Sequence, residues 1–483
     1  MTKIRKPTGC GPWLMTLMIT FGAPQVRAES LLELWEHVVA SNPTLRSSEH
    51  AVEQARAQQD QAFARLLPNA GIKGNYGFNS YNRDVNTQGF RFYGGDNREY
   101  AGYYGALQIS QALFDLPSYL RHEGADKQTQ QQEQYALAQR MQIAYKLVDG
   151  YLTILEADDV IDQLDAEYDS TQAQLQRMRH MHESQLVKVT DLYEVEAYSQ
   201  ALETSRIEAQ HSRAIATEKL REITGVHAEN PDPLVQEDFP DVKRGADEWV
   251  EEAMSSNPLL LSLEYGSEAA QQMIASAQAE HLPTLSANLS ETVSNIITNG
   301  IEILPYTIGT ASLNINIPLY AGGGIEAGVR EQVQKYQATR EKIEEARRGI
   351  EKDTRSAWLN VVSGHNRIDS SRKEADFREK AKAAQQTSYQ LGAATIVDVL
   401  DAHRRLLKAR TDFHKAKYDF IRSLIALRLN SGSLADLDIE SVSPWFAPKP
   451  HKDRPLPRAE HTRVSDTSPT VRLTHHKSTP TPP

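Results

Sequence analysis

The sequence predicts an α+β membrane protein in which very long helices alternate with a few short strands, the whole pattern running twice. Three observations carry that expectation. No proline occurs between Ser118 and Asn230, or between Leu319 and Ser443, and ordinary globular helices run only about 8–20 residues. Four segments alternate apolar residues with small polar ones. Finally, motifs recur: Ser41-Asn42-Pro43 returns as Ser256-Asn257-Pro258, with Pro68 and Pro283 each following 25 residues later. Tyr151-Leu152, Asp191 and Gly225 are matched by Trp358-Leu359, Asp398 and Gly432, all at an offset of 207. A period of that length is a duplicated half-protein, not a solenoid unit. The halves are expected at 29–230 and 246–443, joined by a linker at 231–245.

The helices show in their faces. Met141, Ala144, Val148, Tyr151 and Leu155 keep a 3-4-3-4 spacing, and a second seam of Ile154, Ala157, Ile161, Leu164 and Tyr168 takes over with a shift. Sustained 3-4 spacing gives one face a continuous apolar stripe for a neighbouring helix, as in a coiled coil. The other faces are rich in Gln, Glu, Lys and Arg, as water-facing helices are. Each proline-free stretch breaks once. Residues 391–395 interrupt the second, where Gly392 suits a helix end and Thr395 the cap of the next helix. Residues 183–190 interrupt the first, with Thr190 as the cap candidate. Each stretch is therefore a hairpin: a long helix (118–182 or 326–390) reaches a tip, and a shorter one (191–224 or 396–430) returns. A further helix is expected at 44–66 and at 259–281. At 1.5 Å per residue these lengths are about 97, 50 and 35 Å. The two shorter lengths end to end nearly match the long one, which suits a wall of uniform height.

Strands are expected at 72–80, 101–111, 284–294 and 307–317. Ile72, Gly74, Tyr76 and Phe78 face one way, and Lys73, Asn75, Gly77 and Asn79 the other. Tyr103, Leu107 and Ile109, then Leu285, Ala287 and Leu289, then Leu313, Ile315 and Ile317 form the corresponding apolar sets. Period 2 with one apolar and one small polar face suits a strand between lipid and a wet lumen, and equally a strand of a soluble sandwich. Together the four favour the membrane, because they come as two separated pairs with no other sheet partner. Polar loops at 82–99 and 295–304 join each pair. Four strands cannot close a barrel, for which about eight is the practical minimum. Two chains supply eight and three supply twelve. Small barrels are filled by their own side chains, so a conducting pore favours at least three chains.

Residues 1–28 read as a secretory signal peptide: Lys3, Arg5 and Lys6, then an apolar core from Trp13 to Phe21, then Val26-Arg27-Ala28. That core is too short to span a bilayer as a helix. Cys10, the only cysteine, would leave with it, so the mature chain forms no disulfide and no thiolate metal site. The net charge of −11 becomes −15 without the four cations of that segment, which holds no acid. An acidic chain without a basic stripe is a poor nucleic-acid binder. From Pro444 the last 40 residues hold nine prolines and read as a disordered tail. Its His451, His461, His475 and His476 lack the ordered frame that a metal site needs. His180 and His182 lie on different helix faces and make a poor metal pair. Trp249, Trp358 and Trp445 are read as packing residues on unrelated faces, not a ligand-stacking set. No cofactor is expected, and no triad, paired acid or phosphate loop points to an enzyme.

From Leu31 to Leu434 the chain resembles the TolC family of outer-membrane export channels. The likeness rests on Ser41-Asn42-Pro43, Leu66-Leu67-Pro68, the run Ser110 to Asp115, and the run Leu220 to Gly225. In the second half it rests on His281-Leu282-Pro283, the run Ile317 to Gly323, Tyr389-Gln390-Leu391-Gly392 and the run Thr395 to Ala402. The resemblance implies a homotrimer whose strands make one twelve-stranded barrel in the outer membrane, in contact with its lipid. A coiled-coil barrel of helices would continue it across the periplasm. The hairpin tips would form the entrance, which docks on a periplasmic adaptor and an inner-membrane transporter. The function implied is a passive exit duct for tripartite efflux, type I secretion or both. A periplasmic coiled-coil adaptor without a pore is the alternative, but an adaptor has no use for four lipid-facing strands.

Asp398 and Asp401 lie three residues apart and share one helix face. Spacing alone fits an acidic first turn that favours the helix dipole. The resemblance instead places them at the narrowest point of the pore, as two rings of carboxylates that draw in cations. It also implies a latch in which a tyrosine and an arginine of the second tip bond an aspartate and a threonine of the first. Tyr389 matches the tyrosine, and Thr190 and Asp191 match its partners. The arginine position is Ala394, so half of that latch is missing. Lys188 is a weaker substitute, a point charge on a flexible stem. A looser resting entrance is the expectation.

Overall fold

A computed structural model describes residues 30–81, 98–228, 230–236, 239, 243–296, 305–434 and 436–446. The expected signal segment, most of both strand-joining loops and the four histidines from His451 onward lie outside the described residues. Among the described residues nine α-helices and four strands follow one order. First come α1 (Leu31–Ser41), α2 (Pro43–Ala64), β1 (Asn69–Tyr81), β2 (Arg98–Phe114), α3 (Leu116–Glu183) and α4 (Val189–Thr224). Then follow α5 (Ala246–Ser256), α6 (Pro258–Ala279), β3 (Thr284–Ser294), β4 (Tyr306–Asn316), α7 (Gly324–Gln390) and α8 (Ile396–Ser431). A short helix, α9 (Asp436–Val442), closes the order.

The Ser-Asn-Pro motif is a joint. Asn42 ends α1 and caps α2, accepting from the backbone of Thr44 and Leu45 at 2.9 and 3.2 Å, while Pro43 opens α2 without losing a bond. Its side-chain amide donates to Ile223 O at 2.7 Å, tying the joint to the end of α4. Asn257 repeats this between α5 and α6, donating to Asn430 O of α8 at 2.8 Å. Gly432 follows α8 with φ of 75°, and an added Cβ would meet Ser256 O at 2.6 Å. The 11-residue helices α1 and α5 precede the helices expected from 44 and 259 and were not anticipated.

All four strands join into one antiparallel sheet in the order β1-β2-β3-β4. The two pairs, far apart in sequence, meet in space: β2 pairs with β3 from Tyr104↔Ser294 onward. The register lines up the apolar sets. Ala70, Ile109, Leu289 and Ala311 form one cross-strand row, and the next row is Gly71, Gln108, Ser290 and Thr310. The apolar face is open: Ile72 is 82% exposed and Phe78 86%. Glu99 and Glu291 are its charged members, both in the strand halves farthest from the helices.

The first seam of α3 is buried throughout, from Met141 to Leu155, and of the second seam Ile154 and Leu164 are buried. The main core joins α1, α3 and α8 with Phe239 and Phe446. Trp249, Trp358 and Trp445 all border this one core, which corrects their placement on unrelated faces. Trp358 donates to Arg244 O at 2.9 Å, and Arg244 stacks on Trp249. Phe446 packs edge-on against Tyr151 and bridges to Leu234, so ordered packing extends into the stretch expected to be tail. Among the described residues no helix is long and apolar enough to cross a membrane.

Candidate functional site

The two hairpin tips hold every residue that the sequence singled out. Both are the same turn. In the first, Gln185 N donates to His182 O and Leu186 N to Met181 O, each at 2.8 Å. In the second, Gly392 N donates to Tyr389 O at 3.0 Å and Ala393 N to Ser388 O at 2.8 Å. This helix-ending pattern needs one left-handed residue. Gly392 supplies it at φ 75°, whereas the first tip places Gln185 there at φ 59°.

The return helices start differently. Thr395 and Asp398 form a reciprocal capping box on α8: Asp398 N donates to Thr395 Oγ1 at 3.3 Å, and Thr395 N and Oγ1 donate to Asp398 Oδ2 at 2.9 and 2.7 Å. Those bonds hold the Asp398 carboxyl below its ordinary value. On α4 the cap position belongs to Lys188, which has no side-chain acceptor to offer. Thr190 is thereby corrected from cap to second residue of the helix, where its hydroxyl only grazes Asp191 at 3.5 Å. Asp401 pairs with Arg405 one turn on at 2.6 Å. Asp398 and Asp401 thus both have partners within their own hairpin.

Tyr389 is half-buried, and its hydroxyl donates to Met178 Sδ of α3 at 3.8 Å. Burial raises its pKa, and the Asp191 charge raises it further. Within one protomer, then, Tyr389 and Asp191 are near neighbours without a hydrogen bond. Among the described residues no group of three or more His, Cys, Asp or Glu side chains is placed to hold a metal.

A polar set behind the tips was missed in the sequence. Glu167 of α3 meets His403 Nδ1 of α8, both buried. Burial would raise the Glu167 carboxyl, but the His403 bond and charge, Lys382 and Tyr198 outweigh it and hold it below its ordinary value. Farther from the tips, Asp159 accepts from His414 and Tyr418 at 2.7 Å each, and Arg422 pairs with Asp149 and Glu156 at 2.8 Å. A signal was present: Glu167 and His403 occupy inward seam positions, beside Leu164 and Thr171 on α3 and beside Val399, Leu400 and Leu406 on α8.

A helical wall on a four-stranded sheet, with an open apolar face and paired tips, is a recognisable design. The sequence profile of the outer membrane efflux protein family matches residues 34–226 and 249–433. The chain belongs to this family. Outer membrane protein TolC of Salmonella enteritidis is 25% identical over 440 residues, covering 89% of this chain and 88% of that protein. The proteases secretion protein PrtF of Dickeya chrysanthemi is 24% identical over 450 residues, covering 90% and 95%. A solved structure of CusC matches with a TM-score of 0.73 at 16% identity, over 90% of this chain and 99% of that one. VceC of Vibrio cholerae matches at 0.71 and 16%, over 83% and 96%. The efflux-protein fold is shared, mostly helical with one four-stranded sheet. As a member of the outer membrane efflux proteins, the chain is a passive exit duct of TolC type and not an enzyme. Its place is the Gram-negative outer membrane, with its helices reaching into the periplasm.

Proposed function

We propose that three copies of the chain close one twelve-stranded barrel and continue it as a tunnel of helices, opened and closed at the hairpin tips. The observation that carries this reading is the sheet. In a lone chain β1 and β4 are unpaired edges, and the apolar face lies open across all four strands. Unpaired backbone groups are not tolerated in lipid, so the edges need partners, and further copies of the same sheet supply them. Residues 1–28 direct export and are removed. Residues 29–230 and 246–443 are duplicated halves, joined at 231–245, and 444–483 form an appended tail.

At the tips, Asp398 and Asp401 of three copies form two carboxylate rings that favour cations. Tyr389 with Thr190, Asp191 and Gly392 makes the closing contact between hairpins. Ala394 leaves the arginine half of that latch absent, with Lys188 as a partial substitute, so the resting entrance is loose. The tips dock on a periplasmic adaptor and an inner-membrane transporter that supplies the energy. The names TolC and PrtF support efflux and type I protein secretion as the traffic.

Extraction and cross-linking test the assembly. The chain should leave the membrane only in detergent, cross-link to a trimer, and give discrete conductance steps in planar bilayers. A monomer soluble without detergent would overturn the reading.

A further inference from the structure

Glu167 and His403 form a hydrogen-bonded pair largely withdrawn from water, with 10% and 1% of their side chains exposed. Burying charge costs hydration, and only close pairing with full hydrogen bonding makes it tolerable. The surroundings supply that. Tyr198 of α4 donates to Glu167 Oε1 at 3.3 Å, and Lys382 of α7 lies 3.7 Å from Oε2. Gln386 of α7 meets Nε2 of His403 at 3.1 Å. Arg404, next along α8, lies over the Tyr198 ring. All four hairpin helices thus meet around this buried pair, about 11 Å along α8 from its first residue at 1.5 Å per residue. Farther from the tips the hairpins meet through wetter pairs, Arg422 and Lys415 with Glu156 and His414 with Asp159, whose side chains are 17–52% exposed. Water replaces such bonds readily when helices part, and exposed pairs hold little.

We propose that Glu167 and His403 are an internal clasp that holds the second hairpin against the first and so limits how far the tips part. The clasp takes on that task where Ala394 leaves the tip latch incomplete, and it rests on reading the tips as the entrance. Swinging α7 and α8 outward removes His403 and Lys382 from Glu167 together, leaving the carboxylate with Tyr198 alone. The bonding survives either protonation state of His403. A neutral ring donates from Nδ1 to Glu167 and accepts the Gln386 amide at Nε2. The imidazolium donates from both nitrogens, and Gln386 turns its amide over to accept. The clasp is therefore a fixed constraint and not a switch worked by the imidazole.

Hydrogen exchange and bilayer conductance on the full-length, detergent-extracted protein test this. His403→Phe and the volume-conserving Glu167→Gln should each speed amide exchange about tenfold or more in the tip-side half of α8. Exchange around Tyr151 in the main core should stay unchanged, and resting conductance should rise. Unchanged exchange in α8 in both variants would overturn the clasp, whatever the conductance does. Faster exchange with unchanged conductance would keep the clasp and overturn the tips as the entrance.

Discussion

The two tips share a turn but not its chemistry. The second has glycine at the left-handed position and a capping box on the helix that follows; the first has Gln185 and Lys188 in those places. Gly392 adopts φ of 75° freely, whereas Gln185 at φ 59° brings its Cβ toward the following carbonyl. The second hairpin is thus the better-made one locally. It also carries Asp398 and Asp401, the carboxylates of the proposed rings, and has Ala394 where the proposed latch would have an arginine. Local order is divided unequally between the two tips, and that division makes them experimentally separable.

The largest effect is expected where the second tip lacks its cation. In the proposed latch, Ala394→Arg supplies the forked donor for the first tip's Asp191 and Thr190. A hydrogen bond to a charged group contributes about 1.5–3 kcal/mol, so the resting open population should fall about tenfold or more. Single-channel recording reads this directly. If resting conductance is unchanged, the absent arginine does not distinguish the tips.

Removing the cap comes next. Thr395→Ala should cost α8 about 1 kcal/mol, seen as roughly fivefold faster amide exchange over its first turn. Lys188→Ala should leave α4 nearly unaffected, because no cap bond is lost there. Equal responses would erase the difference. The strained turn is smaller again: Gln185→Gly should stabilise the first tip by about 0.5–1 kcal/mol, and Gly392→Gln should destabilise the second by a similar amount.

Much of this was legible in the sequence because periodicity is a physical constraint. The apolar sets of the strands were readable, and the register places all four on one face, since a strand has only two faces. Thr395 was recognisable as a cap because a hydroxyl stands three residues before Asp398. Thr190 misled for the same reason: it offers the right oxygen, but its helix starts earlier, at Val189. Glu167 and His403 escaped notice because a charge in a helix pattern is read as solvated. Only the pairing of α3 with α8, distant in sequence, makes the inward positions of both compatible. The joint at Asn42 was visible only as a repeated motif, because its partner Ile223 O lies 181 residues away.

Acid should separate the tips most finely. The Asp398 carboxyl is held below its ordinary value of 3.8 by bonds from the side chain and backbone of Thr395. A group whose pKa is lower in the folded protein stabilises it fully above the unfolded value, and loses that contribution as pH falls through the folded one. The box on α8 should therefore be intact above about pH 4.5 and weaken as pH drops below 3.8. Asp398 protonated no longer attracts the helix N-terminus by charge, though its backbone N–H still reaches Thr395 Oγ1. At the first tip no carboxylate forms a cap box, since Lys188 holds the cap position. Exchange in residues 396–399, corrected for the intrinsic rate at each pH, should accelerate on acidification more than exchange in residues 189–192. Asp398→Asn should abolish the excess while preserving a side-chain acceptor at that position. If the first tip frays as early as the second, the capping box is not what sets them apart.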